Sequence, residues 1–201
     1  MENPFRIKYV MILVMVLASQ WAFSQLNDFT LVVSSTQETC TANGTLSFTV
    51  SNTTAGTSML YAIYKLPNTI TPLAAVTDVS YSGLTSGDYL VIATQSLGPQ
   101  SGTQQQQVTI IDQRVILTYQ VSGTEVVCGN DGVITIQPLT GTAYTYAITN
   151  GPVIREPQAS NVFSNLPAGQ YTIRVIDICG EGVVQTYTLT AKNPALAFTL
   201  N

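Results

Sequence analysis

The sequence contains no histidine. That removes the commonest general base and the commonest transition-metal ligand. A Ser-His-Asp or Cys-His site is impossible. Charge is scarce too: Asp, Glu, Lys and Arg make up 9% of the 201 residues, against roughly 25% in ordinary soluble domains. The formal charge is -4 and no Lys/Arg cluster occurs, which argues against nucleic acid as a partner, because nothing is there to neutralise phosphates. No long stretch combines a helical period with helix caps. An enzyme is not expected, and no cofactor is implied.

What is abundant is Thr, Ser, Gln and Asn, with β-branched residues and Tyr. That mixture fits strands and turns. The stretch 163–180, FSNLPAGQYTIRVIDICG, organises the chain. Leu166-Pro167-Ala168-Gly169 reads as a turn, in which Pro167 fixes φ and Gly169 can take positive φ. Tyr171, Ile173 and Val175 then alternate, as in a half-buried strand. The same phrase occurs earlier, with Tyr81, Leu84, Gly87 and Tyr89 standing for Phe163, Leu166, Gly169 and Tyr171. Two such phrases make this a repeat protein.

The first residues form an export signal. Arg6 and Lys8 precede an apolar run, Tyr9 to Ala18, and the small-x-small triplet Ala22-Phe23-Ser24 follows. This is the layout of a signal peptide, 1–24, cut after Ser24. The rival reading is a membrane anchor, but the run is shorter than the ~17–25 residues a span needs. No stable membrane span is expected after cleavage, and the product is placed outside the cell or on its surface.

Beyond the signal the chain divides in two. Residues 25–113 form one unit and 114–193 a second. Cys40 and Gly44 recur as Cys128 and Gly132, Tyr61 as Tyr146, and Tyr89 as Tyr171. Each unit is as long as an immunoglobulin-like sandwich, with short strands and frequent turn signals. The fold class is therefore all-β: two tandem immunoglobulin-like antiparallel β-sandwich modules. The proline-bearing stretches 66–78 and 153–160 are edge strands or irregular crossings. Gln104–Gln107 reads as the exposed start of a last strand. The segment 194–201 resembles the start of the first unit and suggests entry into a third module.

In an exported chain the three cysteines are free to oxidise. Cys128 lies before the second strand of its module and Cys179 ends the penultimate one, so these two are expected to pair. Geometry attaches a condition. Long antiparallel strands alternate in direction, and a disulfide needs Cα atoms within about 7 Å. The pair therefore requires that 153–163 supply one full strand; two would put the cysteines at opposite ends. In the first module Leu97 stands where Cys179 does. That leaves Cys40 as a free thiol, either buried and inert or available for an intermolecular bond.

Other candidates are few. Tyr64, Tyr119 and Tyr144 are the surface candidates for ligand contact, an aromatic platform for glycans; Tyr61 and Tyr146 align between repeats and belong to the core. Asp131, Asp177 and Glu181 are candidate calcium ligands if they gather at one end of the module. Their spacing follows no calcium loop, and turn or solvated charges explain them as well. No metal is expected. Tyr89 and Tyr171 should pack beside their turns, with hydroxyls bonded to nearby backbone.

The second module resembles the SprB-type repeat of cell-surface adhesins from gliding bacteria with type IX secretion. The residues are Cys128-x-x-Asp131-Gly132-Val133-Ile134-Thr135-Ile136, Tyr144-Thr145-Tyr146, and Phe163-x-x-Leu166-x-Ala168-Gly169-x-Tyr171-Thr172-Ile173-x-Val175-x-Asp177-x-Cys179. The family's Asp-Gly-Cys order is altered here to Asp177-Ile178-Cys179-Gly180. The resemblance implies a non-catalytic extracellular adhesion protein that touches other surface proteins or glycans in connection with gliding motility. The alternative is a glycan-binding accessory module, which needs two or more exposed tyrosines on one face.

Overall fold

The computed structural model describes residues 26–192. The expected signal peptide and the 194–201 segment lie outside them. The described chain is all-β, with fourteen strands and no helix. It forms two compact units. Of the described residues, the first takes 26–37 together with Asn43–Ile111, and the second takes Glu38–Ala42 and 112–192. The sequence places the boundary near residue 113 but gives no sign that five residues far upstream belong to the second unit.

In the first unit, β1 (Thr30–Ser35), β2 (Gly44–Ser51) and β5 (Ser80–Leu84) make a three-stranded sheet in the order β1-β2-β5. A four-stranded sheet runs β4-β3-β6-β7, from β3 (Ser58–Lys65), β4 (Ala74–Val76), β6 (Gly87–Leu97) and β7 (Gln100–Ile110). The second unit repeats this plan. Its smaller sheet is β12-β9-β8, from β8 (Thr118–Thr124), β9 (Gly132–Thr140) and β12 (Val162–Leu166). Its larger sheet is β11-β10-β13-β14, from β10 (Ala143–Asn150), β11 (Arg155–Gln158), β13 (Gly169–Asp177) and β14 (Gly182–Leu189). All strand ladders are antiparallel. In each unit the short fourth strand pairs with the third, so the larger sheet has four strands, where the constant-type immunoglobulin arrangement puts the fourth strand on the other sheet.

Alternation along the strands fills each sandwich. In β13 the side chains of Tyr171, Ile173 and Val175 are buried while Gln170 and Arg174 face water. In β6 Tyr89, Val91 and Ala93 play the same part. Each fully buried Ile or Val contributes about 1.5–3 kcal/mol relative to exposure. The first core adds a stacked pair, Phe48 on Tyr61, with ring centroids 4.6 Å apart. The second is built around Ile134, Ile136, Ile148, Phe163, Leu166 and Tyr171.

The repeated phrase is a joint between the sheets. Tyr171 Oη donates to the carbonyl of Pro167 at 2.7 Å, and Tyr89 Oη donates to that of Thr85 at 2.7 Å. These are the hydroxyl-to-backbone bonds expected from sequence. They form the tyrosine corner of immunoglobulin-like folds, which ties the turn to the strand that follows it. The leucine of the phrase locks the other sheet. Leu84 pairs with Gly44 and Leu166 with Gly132. A Cβ at Gly132 would sit 2.6 Å from Leu166 O, and one at Gly44 would sit 2.8 Å from Leu84 O. Close packing, and not a turn, demands glycine at Gly44 and Gly132, both of which begin strands.

The structure extends one reading and overturns another. First, Gln104–Gln107 belong to the last strand as expected, but β7 begins earlier, at Gln100. One of them closes a gap. Gln106 Oε1 accepts from Val33 N at 2.8 Å and its Nε2 donates to Val33 O at 3.3 Å, so a side-chain amide replaces a missing strand contact. Gln185 Nε2 reaches Tyr119 O at 3.3 Å on the second unit's corresponding strands. Second, residues 153–163 contribute to two strands, β11 and β12, on different sheets. Pro152 and Pro157 interrupt the alternation that would have revealed them.

Candidate functional site

The cysteines differ from expectation in a way the strand count dictates. Between Cys128 and Cys179 lie five strands, β9 to β13, so the two corners fall at opposite ends of the second unit. Gly132, beside Cys128, pairs with Leu166, and Gly169 pairs with Leu189 at that same end. Cys179 lies beyond the far end of β13, a strand of nine residues. Eight steps at ~3.4 Å make about 27 Å, well beyond the ~7 Å limit between Cα atoms of a cystine. Cys179 is bonded to Cys40, with Cα atoms 5.4 Å apart. Cys128 is a free and exposed thiol. The pairing read from sequence is thus replaced: Cys40 is the bonded residue and Cys128 the free one.

The bond closes a small, polar end of the second unit. Asp177, 9% exposed, shapes the turn that carries Cys179. Its Oδ1 accepts from the backbone N of Cys179 and of Glu181, each at 2.8 Å. Glu38, 1% exposed, does the same for Cys40 by accepting from Ala42 N at 2.8 Å. Gln113 N donates to Glu38 O at 2.8 Å, and Glu38 forms a parallel bridge with Asp112. Arg114 grips Asp112 with two bonds, Nε to Oδ1 at 3.0 Å and Nη2 to Oδ2 at 2.7 Å. It also lies 3.9 Å from Glu38. The hydrogen bonds from Arg114 hold Asp112 down at about 2, and the Asp112 carboxylate pushes the guanidinium up. A cleft of about 250 Å³ lies here, lined by Thr39, Thr41, Val115 and Ile116 beside the cystine.

The three carboxylates offered for a metal are not brought together. Asp131 lies at the Cys128 end, where its Oδ1 accepts from Val127 N at 2.9 Å and Cys128 N at 3.2 Å. It braces that loop, as a turn aspartate does. Asp177 and Glu181 sit at the opposite end. Among the described residues no group of three or more His, Cys, Asp or Glu could hold a metal ion.

The tyrosines also separate. Tyr119 is 3% exposed and belongs to the core, so it is withdrawn as a surface candidate. Its hydroxyl donates to Ile173 O at 3.1 Å and Val183 O at 3.3 Å, and burial pushes it up to about 12. The signal was present in the repeat: Phe29, Leu31 and Val33 align with Leu117, Tyr119 and Val121. Tyr144 is 68% exposed. Tyr64 is half-buried and belongs to the first unit. Among the described tyrosines only Tyr144 is exposed, so no face carries an exposed aromatic pair.

Among the described residues no helix is long and apolar enough to cross a membrane. No protein-family model matches the chain, and neither does any curated protein. Solved structures do. The three N-terminal domains of the Highly Immunogenic Outer Capsid protein of bacteriophage RB49 match with a TM-score of 0.50 at 13% identity, over 82% of this chain. This chain spans 59% of that structure. The amphioxus IgVJ-C2 molecule matches with a TM-score of 0.29 at 13% identity, over 68% of this chain and 90% of its own. With the strand order and the tyrosine corners, the capsid-protein likeness identifies the fold as tandem immunoglobulin-like β-sandwiches.

Proposed function

We propose that this chain is a non-catalytic extracellular protein, part of a cell-surface adhesin of the SprB type from a gliding, type IX-secreting bacterium. The observation that carries the reading is the repeat itself: the same cysteine, glycine, leucine and tyrosine positions build two sandwiches, and in each the glycine meets the leucine and the tyrosine anchors the corner. The Cys40–Cys179 bond supports an oxidising destination. Sparse charge and Thr- and Gln-rich strand faces suit a spacer with no active site. The action is passive: rigid modules hold a binding tip away from the cell, or present loops for weak multivalent contacts with other surface proteins or glycans.

The test is location and phenotype together. Protease added to intact cells should remove the protein, and deletion of its gene should impair attachment or spreading on a surface. Protein that stays protected inside intact cells, with all three thiols reactive, would refute the reading. The adhesin reading is preferred to a dedicated glycan-binding accessory module, because among the described residues the exposed tyrosine pair that module needs is not assembled.

A further inference from the structure

Cys128 is the repeat counterpart of Cys40, and the two loops match beyond the cysteine. Each cysteine lies four positions before a glycine that pairs with the leucine of the repeated phrase. Each follows, by two positions, a residue that makes an isolated parallel bridge to chain leaving a sandwich. Glu38 bridges Asp112, two positions past the end of β7; Val126 bridges Ala191, two positions past the end of β14. The hydrogen bonds match as well. Gln113 N donates to Glu38 O at 2.8 Å, and Lys192 N donates to Val126 O at 2.8 Å. The chain thus passes the Cys128 loop as it leaves the second sandwich, just as it passes the Cys40 loop on entering that sandwich.

At the Cys40 loop this arrangement ends in a disulfide. The partner, Cys179, comes from the last β-turn of the sandwich whose first strand begins just after the bridge. At the Cys128 loop the glycine pairing, the parallel bridge and its backbone hydrogen bond are all present without the partner, and the thiol is exposed. We infer that Cys128 is a covalent coupling site for a further module of this same repeat, lying after Lys192 and carrying a cysteine in the turn between its last two strands. Each module would then be fastened to the loop of its predecessor, and the array would be a chain of alternating peptide and disulfide links. The inference rests on the repeat geometry and is independent of any adhesive role.

The chemistry is thiol–disulfide exchange. The Cys128 thiolate attacks the disulfide of a dithiol oxidoreductase and forms a mixed disulfide. The second cysteine's thiolate then displaces the enzyme. The two electrons and the two thiol protons end on the enzyme, whose disulfide becomes a dithiol.

Trypsin separates the three cysteines, because cleavage follows Lys65, Arg114, Arg155, Arg174 and Lys192. The natural protein, collected without reductant and blocked with iodoacetamide, should yield the 115–155 peptide joined to a cysteine peptide from beyond residue 201. In Cys128→Ser that later cysteine should become alkylated, one per chain, while the peptide ending at Lys65 stays joined to 175–192. An alkylated Cys128, a 115–155 peptide joined to itself through a second copy, or one joined to 175–192 would each overturn the inference.

Discussion

Replacing Cys40 with Ser should destabilise the second unit far more than the first, and the size follows from the path the bond closes. The cysteines are separated by 139 positions. In the chain-entropy view a free loop of that length is worth about 5 kcal/mol. Much of this loop is not free, however, while the first unit stays folded. Gly44 and Ile110, at the two ends of that unit's share of the loop, lie side by side: a Cβ at Gly44 would be 3.0 Å from Ile110 Cγ2. The folded unit thus shortcuts its own residues and leaves about 70 mobile ones, which lowers the figure to about 4.5 kcal/mol. A unit of roughly 80 residues has about 4–12 kcal/mol in all. Guanidinium unfolding of Cys40→Ser, followed by far-UV circular dichroism with hydrogen exchange to assign each transition, should show the second unit's transition moved to much lower denaturant or lost. The first unit's transition should hold, and Cys128→Ser should leave both in place. If Cys40→Ser shifts the second unit by less than about 1 kcal/mol, or if Cys128→Ser has the larger effect, the strand-count argument is wrong.

Tyr171→Phe removes a buried hydroxyl and strands the Pro167 carbonyl, for a loss of about 1–1.5 kcal/mol. That is about 4–12 °C in the second unit's Tm; Tyr89→Phe should do the same to the first unit alone, as read by calorimetry. Tyr119 titrates at about 12 in the folded chain and near 10 when unfolded. Its neutral form is the one the fold prefers, so its contribution is complete below pH 10 and lost as pH climbs from 10 to 12. Unfolding curves across that range should show the second unit weakening, and Tyr119→Phe should flatten the decline; an equally steep decline in the variant would contradict it. Arg114→Ala should let Asp112 rise from about 2 towards the ordinary carboxylate range near 4; an unmoved carboxyl shift in an NMR titration would show that another group holds it down.

The fold was legible where the physics is local. Alternation gave β6 and β13, the phrase around Tyr89 and Tyr171 gave the corners, and the recurring Cys-x-x-x-Gly marked the start of β2 and β9. Legibility failed where a result depended on counting. A single misjudged stretch, 153–163, reversed which end of the sandwich Cys179 occupies, because each added strand flips the direction of the chain. Tyr119 was misjudged because the repeats were compared residue by residue for tyrosine, when its partner by position is Leu31; burial tolerates either. The grouping of Glu38–Ala42 with the second unit left no mark in composition or periodicity. A five-residue excursion is too short to show a pattern, and its contacts lie about 70 or more positions away.

The bond between Cys40 and Cys179 also sets an order of events. As the ribosome delivers the chain, Cys40 comes first, Cys128 next and Cys179 last. Pairing by order of arrival would join the first two and orphan the third. The native bond skips the middle cysteine, so an early Cys40–Cys128 link must be rearranged or prevented. The first sandwich has every one of its strands long before Cys179 exists, and it can complete its core while Cys40 still waits. Maturation of the second unit is therefore timed by its own last strands, and a reshuffling catalyst should speed it where a simple oxidant would trap it.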